Sequence, residues 1–294
     1  MSGAGELPRP EPSVQRMLEV FDVEPDASGR FVGQADTGGR LVVDGSQLLG
    51  QAIVATAKGL PGYGVRSAHA LFFRPVDVRR DVWLRVEVTH HGRAFAAAAV
   101  AVGQGERHCA SVTLLLDVEQ PDVIRHSASP PDTTGPEAAI PLSMPMEGRE
   151  VRLVAVEDPN DPAATGPPEL DAWVRYEPIP TRPELAKALI AHFTGHLSIS
   201  TTMRPHRGVG TAMAHESLST AVIGIAITFH EPVTWRGSLR YHHESVYAGS
   251  GLSLVRGQIF TEDGTLIASF SQDGMIRSFQ RDDGSGSRDA DERL

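Results

Sequence analysis

The chain has 294 residues, 40% hydrophobic and 22% charged, which excludes disorder or collagen-like structure over most of its length and suits two domains. Its 27 basic residues face 37 acidic ones, a net charge of −10 with no basic stripe, so nucleic acid is not an expected partner. No apolar run has the roughly 18 residues of a membrane-spanning helix, no leader-like segment is visible, and a lone Cys109 rules out an intrachain disulfide, so a cytoplasmic setting is expected.

Residues 1–12 read as a loose, proline-containing tail. The first long helix is predicted over Gly45–Lys58, where Leu48, Ala52 and Ala55 recur at helical spacing. Strand-like runs follow at Ala68–Arg74, Val82–Thr89, Phe95–Val102 and His108–Leu116, punctuated by glycine turns at Gly92 and Gly103-Gln-Gly105. These elements make a first domain over 13–116. Residues 117–150 hold six prolines and little periodicity, and are expected to form a long linker crossing a surface. The second domain, 151–279, opens its helix at Pro183, a residue suited to a first helical turn, and runs it to about His196. Strands are predicted at Ala221–His230, Leu239–Tyr247, Leu252–Thr261 and Thr265–Phe279, with Asp263-Gly264 as a hairpin signal. Residues 280–294 read as a solvated tail.

The halves share one grammar. Pro75 and Pro232 stand at the same offset as Gly92 and Gly249, and Ala110-Ser111 precedes Ala268-Ser269 by one residue more. Such a repeat predicts an internal duplication. The fold class is α+β, two tandem copies of a long helix on a curled antiparallel sheet: a double hotdog. An unrelated tandem pair of α+β domains would supply the same elements without the constant offset.

Several motifs resemble one family. Gly45-Ser-Gln-Leu-Leu-Gly-Gln51 is similar to the glycine–glutamine start of the first helix in the type II acyl-CoA thioesterases, and His69-Ala-Leu-Phe-Phe-Arg-Pro75 to a strand of that family. Trp173-Val-Arg175, the run from Val255 to Gly264 and the run from Ser269 to Arg277 resemble its second-half signatures. The resemblance implies an acyl-CoA substrate with its chain between helix and sheet, and further homodimers or homotetramers. It also implies a hydrolytic water held by three groups: an aspartate ending the second helix, a threonine or serine on the next strand, and a glutamine on the last strand. On this chain those positions fall on His196, Val222 and Gln272, so two of the three have changed chemistry.

His196 remains a plausible base because imidazole titrates near neutrality. It could equally cap helix-end carbonyls. Gln272 orients or polarises, and Thr220, two residues before Val222 on one face of a strand, offers a displaced hydroxyl. The expected catalytic residues are therefore His196, Gln272 and Thr220, and the expected substrate contacts His69, Arg74, Val222 and Gly224. Neither a cofactor nor a metal is expected: His192 and His196 have ligand spacing, but a third ligand would have to come from His206 or His215. Three readings stay open: thioester hydrolysis, a hydration, dehydration or other lyase or cyclase step using His196, and acyl-CoA binding without catalysis.

Overall fold

The computed structural model describes residues 11–37, 43–131, 134–156 and 158–279. The two expected tails fall almost wholly outside this range. Helix α1 (Val14–Phe21) starts at Ser13, whose hydroxyl accepts from the Arg16 amide, and is followed by a small hairpin, β1 (Glu24–Pro25) and β2 (Phe31–Gly33). Helix α2 (Gly45–Gly59) is capped by Asp44 and is buried at every position from Ser46 to Thr56. A helix enclosed all round needs apolar or small side chains on all faces. Leu48, Leu49 and Ile53 supply the volume, each gaining roughly 1.5–3 kcal/mol from full burial. Gly50 supplies the close approach: a Cβ there would stand 2.7 Å from the ring of Phe21 on α1.

Strands β3 (Gly64–Phe72), β4 (Val82–His91), β5 (Phe95–Gln104) and β6 (Arg107–Asp117) complete the first half, all antiparallel. The chain then crosses to the second half along the exposed side of the sheet. Arg125 pairs with Glu231 at 2.7 Å, and the carbonyl of Thr134 accepts from the Trp173 indole at 3.0 Å. The crossing is not structureless throughout. It adds an edge strand, β7 (Ile140–Leu142), against β8 (Arg149–Leu153), which pairs with β9 (Glu169–Tyr176).

The second half repeats the first: α3 (Pro183–Phe193), a short α4 (Ser198–Met203), then β10 (Leu218–Phe229), β11 (Ser238–Gly249), β12 (Leu252–Thr261) and β13 (Leu266–Ser278). All strands belong to one 13-stranded sheet in the order β1-β2-β4-β5-β6-β3-β10-β13-β12-β11-β9-β8-β7. The two half-sheets meet where β3 pairs antiparallel with β10, Ser67 opposite Thr228 and Leu71 opposite Gly224. Helices α2 and α3 lie against each other on one face of this sheet. The arrangement is a double hotdog.

Two boundaries differ from the sequence reading. Helix α3 stops at Phe193, where the Thr194 hydroxyl donates to the Ala191 carbonyl at 2.7 Å and Gly195 follows. Helix α4 occupies a Ser/Thr-rich run of poor helix propensity. Burial explains it: Ser198, Ser200, Thr201, Thr202 and Met203 are all enclosed, with α4 lying on the inner side of β11, β12 and β13.

Gly257 on β12 shows how tight that inner side is. A Cβ there would run into the Phe270 ring and stand 2.6 Å from the His242 carbonyl oxygen. Gly257→Ala is therefore expected to cost about 1–3 kcal/mol by overpacking, read as a lower urea midpoint with an unchanged denaturant slope.

Candidate active site

The start of α2 meets the end of α3. Gly195 makes this possible, because a Cβ at that position would lie 2.8 Å from Ser46 Cβ and 2.9 Å from Asp44 Oδ1. Asp44 spends its Oδ1 on α2, accepting from the Ser46 amide at 3.4 Å and the Ser46 hydroxyl at 3.0 Å. Its Oδ2 faces His196 Nδ1 at 3.8 Å, an ion-pair separation rather than a hydrogen bond. His196 is 3% exposed and its ring stacks on Phe193 at 4.9 Å and 6°. His192, one turn earlier, packs edge-on against the His196 ring at 5.1 Å and against Phe21 at 5.7 Å. A cavity of about 10 Å³ lies among Asp44, His192 and His196, with Arg149 and Asp36 also on its wall.

Gln272 lies on β13, opposite Ile225 of β10 and Val255 of β12, on the helix-facing side. It is 1% exposed, and among the described residues neither its amide nitrogen nor its oxygen has a hydrogen-bond partner. Each unsatisfied buried polar group costs roughly 1–3 kcal/mol, so the Gln272 amide is poised to receive one. Gly274, two residues on along the same face, sits under Ile199 of α4, so Gln272 and the segment just after His196 share a neighbourhood. Nothing bonds Gln272 to His196 or Thr220 directly. Val222 lies opposite Gly274 and the buried Thr220 opposite Ile276, which puts both on the Gln272 face.

A β-bulge between Val222 and Gly224 reverses the alternation. Gly224 therefore pairs with Asp273 and turns toward the other face, where Leu71 and the Asp273 carboxylate flank it. His69 also points away from the helices. Its neighbours Ala68 and Ala70 take the buried side, and strand alternation sends the imidazole to the exposed one. Arg74 is exposed beyond β3 and donates to the His108 carbonyl at 3.0 Å. His69, Arg74 and Gly224 thus stand outside the space between helices and sheet. His206 and His215 are likewise exposed and do not join the group around His192; the acidic neighbour of the histidine pair is Asp44. Asp44 was legible from sequence only as a helix cap before Gly45. Cys109 is buried, and that burial pushes its thiol pKa up, which suits packing rather than nucleophilic work.

His243 supplies a second buried imidazole, inward on β11 while His242 faces out to Asp171. Burial lowers its pKa to about 4, with Nδ1 on the Leu170 carbonyl at 3.3 Å. The unfolded chain takes up that proton first as pH falls, so stability present above about 6.5 is lost between 6.5 and 4. The shift corresponds to about 3 kcal/mol. His243→Phe keeps a ring against Phe270 and is expected to flatten that part of the stability-versus-pH curve, measured by urea unfolding at pH 7 and 4.

Sequence profiles of the acyl-CoA thioesterase N-terminal and C-terminal domains match residues 32–116 and 121–276. The chain is 27% identical over 284 residues to acyl-CoA thioesterase 2 of Haemophilus influenzae, covering 90% of this chain and 98% of that one. It is 27% identical over 289 residues to acyl-coenzyme A thioesterase 8 of Rattus norvegicus, covering 90% of each. Among solved structures, an acyl-CoA thioesterase II of Mycobacterium marinum superposes with a TM-score of 0.71 at 25% identity, over 89% of this chain and 98% of that one. The tesB protein of Mycobacterium avium subspecies paratuberculosis shares the fold, with a TM-score of 0.74 at 21% identity over 90% and 99%. With both domain profiles matched in order along one continuous double-hotdog sheet, the chain belongs to the acyl-CoA thioesterase family.

Proposed function

We propose that the protein hydrolyses an acyl-CoA thioester with water activated by His196, and that Asp44 takes the part of the carboxylate missing from the end of α3. The observation that carries this reading is the Asp44 carboxylate at 3.8 Å from His196 Nδ1. With Nδ1 turned to Asp44, Nε2 accepts the proton of the attacking water. The carboxylate stabilises the imidazolium that forms, and an ion pair of this kind tightens once the charge develops. Water oxygen bonds to the thioester carbon, the C–S bond breaks, and the proton returns from His196 to the departing CoA thiolate. Gln272 donates its amide to the carbonyl oxygen or holds the water, satisfying a group that has no partner among the described residues. Thr220 lies on the same face as a second polar contact, and Val222 gives that face an apolar floor for the acyl chain.

Hydrolysis is favoured over a lyase step or binding alone because the matched family and the relatives above carry thioesterase names. No helix among the described residues is long and apolar enough to cross a membrane. Residence in the cytoplasm and assembly as a homodimer or homotetramer complete the proposal, supported by the single thiol and by the family resemblance.

Thiol release from a panel of acyl-CoAs is the deciding measurement. His196→Ala is expected to lower kcat by about 10²–10⁴, the usual contribution of a general base, and Asp44→Asn to lower it less. An unchanged rate in His196→Ala would remove this residue from the chemistry. Absence of thiol release across all chain lengths would remove hydrolysis itself.

A further inference from the structure

An antiparallel sheet with one side on a core normally turns charged and polar residues to water on the other. The outer side of this sheet departs from that rule over five neighbouring strands, β5, β6, β3, β10 and β13. Outward residues cross them in continuous rows, the middle one running Ala99, Thr113, His69, Ala226, Ser271. The rows two residues to either side bring in Leu115 and Leu71 and a single carboxylate, Asp273. None of the three rows holds a lysine, an arginine or a glutamate. Strand β5 reads Phe-Ala-Ala-Ala-Ala-Val from Phe95, apolar on both sides, the pattern of a strand covered on both faces. Yet Phe95, Leu71 and Leu115 are 54%, 44% and 40% exposed.

We propose that this face packs against the same face of a second copy of the chain. The inference rests on the homo-oligomeric reading above, for which it supplies the surface, and not on hydrolysis. The margins carry the first argument. Strand β4 borders the neutral rows with Arg85 and Glu87, and β12 borders them on the other side with Arg256. Because β3 is the middle strand of the five, a two-fold axis along it lays one margin over the other. Glu87 shares a row with Arg256, and Arg85 shares one with Asp273. Each basic residue of one copy therefore meets an acidic residue of the other, while the neutral rows meet between them. Arg256 holds Glu244 at 2.8 Å and keeps further donors for a second carboxylate. These side chains are long enough to absorb the roughly 30° by which stacked sheets depart from alignment.

Area is the second argument. Seven strands about 4.8 Å apart, crossed by three rows about 6.7 Å apart, span roughly 670 Å² on each copy. The two copies together cover about 1,300 Å², the size of a specific interface. The chain's own ends are poor alternatives as a cover. Residues 280–294 carry eight charges, with Ala290 and Leu294 as their only apolar residues, and residues 1–10 offer Met1, Ala4 and Leu7.

Sedimentation equilibrium of the full-length protein, with no acyl-CoA present, tests the surface. The unsubstituted chain is expected to sediment as a dimer or tetramer. Ala99→Arg and Thr113→Arg each put two like charges into an isologous contact, since every substitution appears twice. Each is expected to raise the dissociation constant by more than about 100-fold. Thr113 is exposed within the chain, so its arginine is compatible with the fold, and an unchanged urea midpoint at a concentration where the variant is monomeric checks this. Val123→Arg, in the exposed crossing, is expected to leave assembly unchanged. An oligomer unaffected by both face variants would overturn this surface and leave homo-oligomerisation standing. A chain that stays monomeric at all concentrations would overturn both.

Discussion

The contact between Gly195 and the start of α2 is the constraint on which the rest depends. Because no Cβ intervenes, the beginning of one helix and the end of the other close to within side-chain reach, and Asp44 meets His196. The far end of the same helix pair shows the opposite solution. There Asp22 joins Lys58 at the end of α2 to Arg182 at the start of α3, at 2.8 and 2.7 Å. The two helices are thus antiparallel and tied at both ends, by an ordinary ion-pair bridge at one and by a buried polar cluster at the other. Helix dipoles favour this arrangement, with the anionic Asp44 at an N-terminus and the cationic form of imidazole near a C-terminus.

That asymmetry sits within a near-symmetric frame. Strands β3 to β6 are repeated by β10 to β13, and the half-sheets join edge to edge. The departure lies between helix and sheet. In the first half residues 60–63 suffice to link α2 to β3, whereas residues 194–217 separate α3 from β10 and contain α4. The extra chain carries His196 and covers the inner side of the strands that bear Gln272, so the added segment and the polar residues occupy one end of one repeat.

Much of the architecture was readable in the sequence because it follows from local period and punctuation. The 3.6-residue pattern of Leu48, Ala52 and Ala55 placed α2, the Asp263-Gly264 turn placed a hairpin, and the constant offset between the prolines exposed the duplication. The site was readable only in part. His196 and Gln272 could be located by counting along motifs, but Asp44 lies a repeat away, and only packing of α2 on α3 reveals it as a partner. His69 and Gly224 show the reverse difficulty. A motif fixes the position of a residue along a strand, while its side depends on where alternation starts and whether a bulge resets it. The six residues of α4 were hidden for a third reason, since burial on a neighbouring sheet overrides their weak helical preference.

The crossing between halves runs with Val123 and Ile124 almost fully in solvent, 96% and 81% exposed. The union of the halves rests instead on the β3–β10 ladder and the α2–α3 contact, neither of which needs the chain to be continuous there. A single peptide cleavage near residue 123 would therefore leave two chains held together with the same interior. The tether's physical effect is to raise the local concentration of two halves that recognise each other through the ladder and the helix contact.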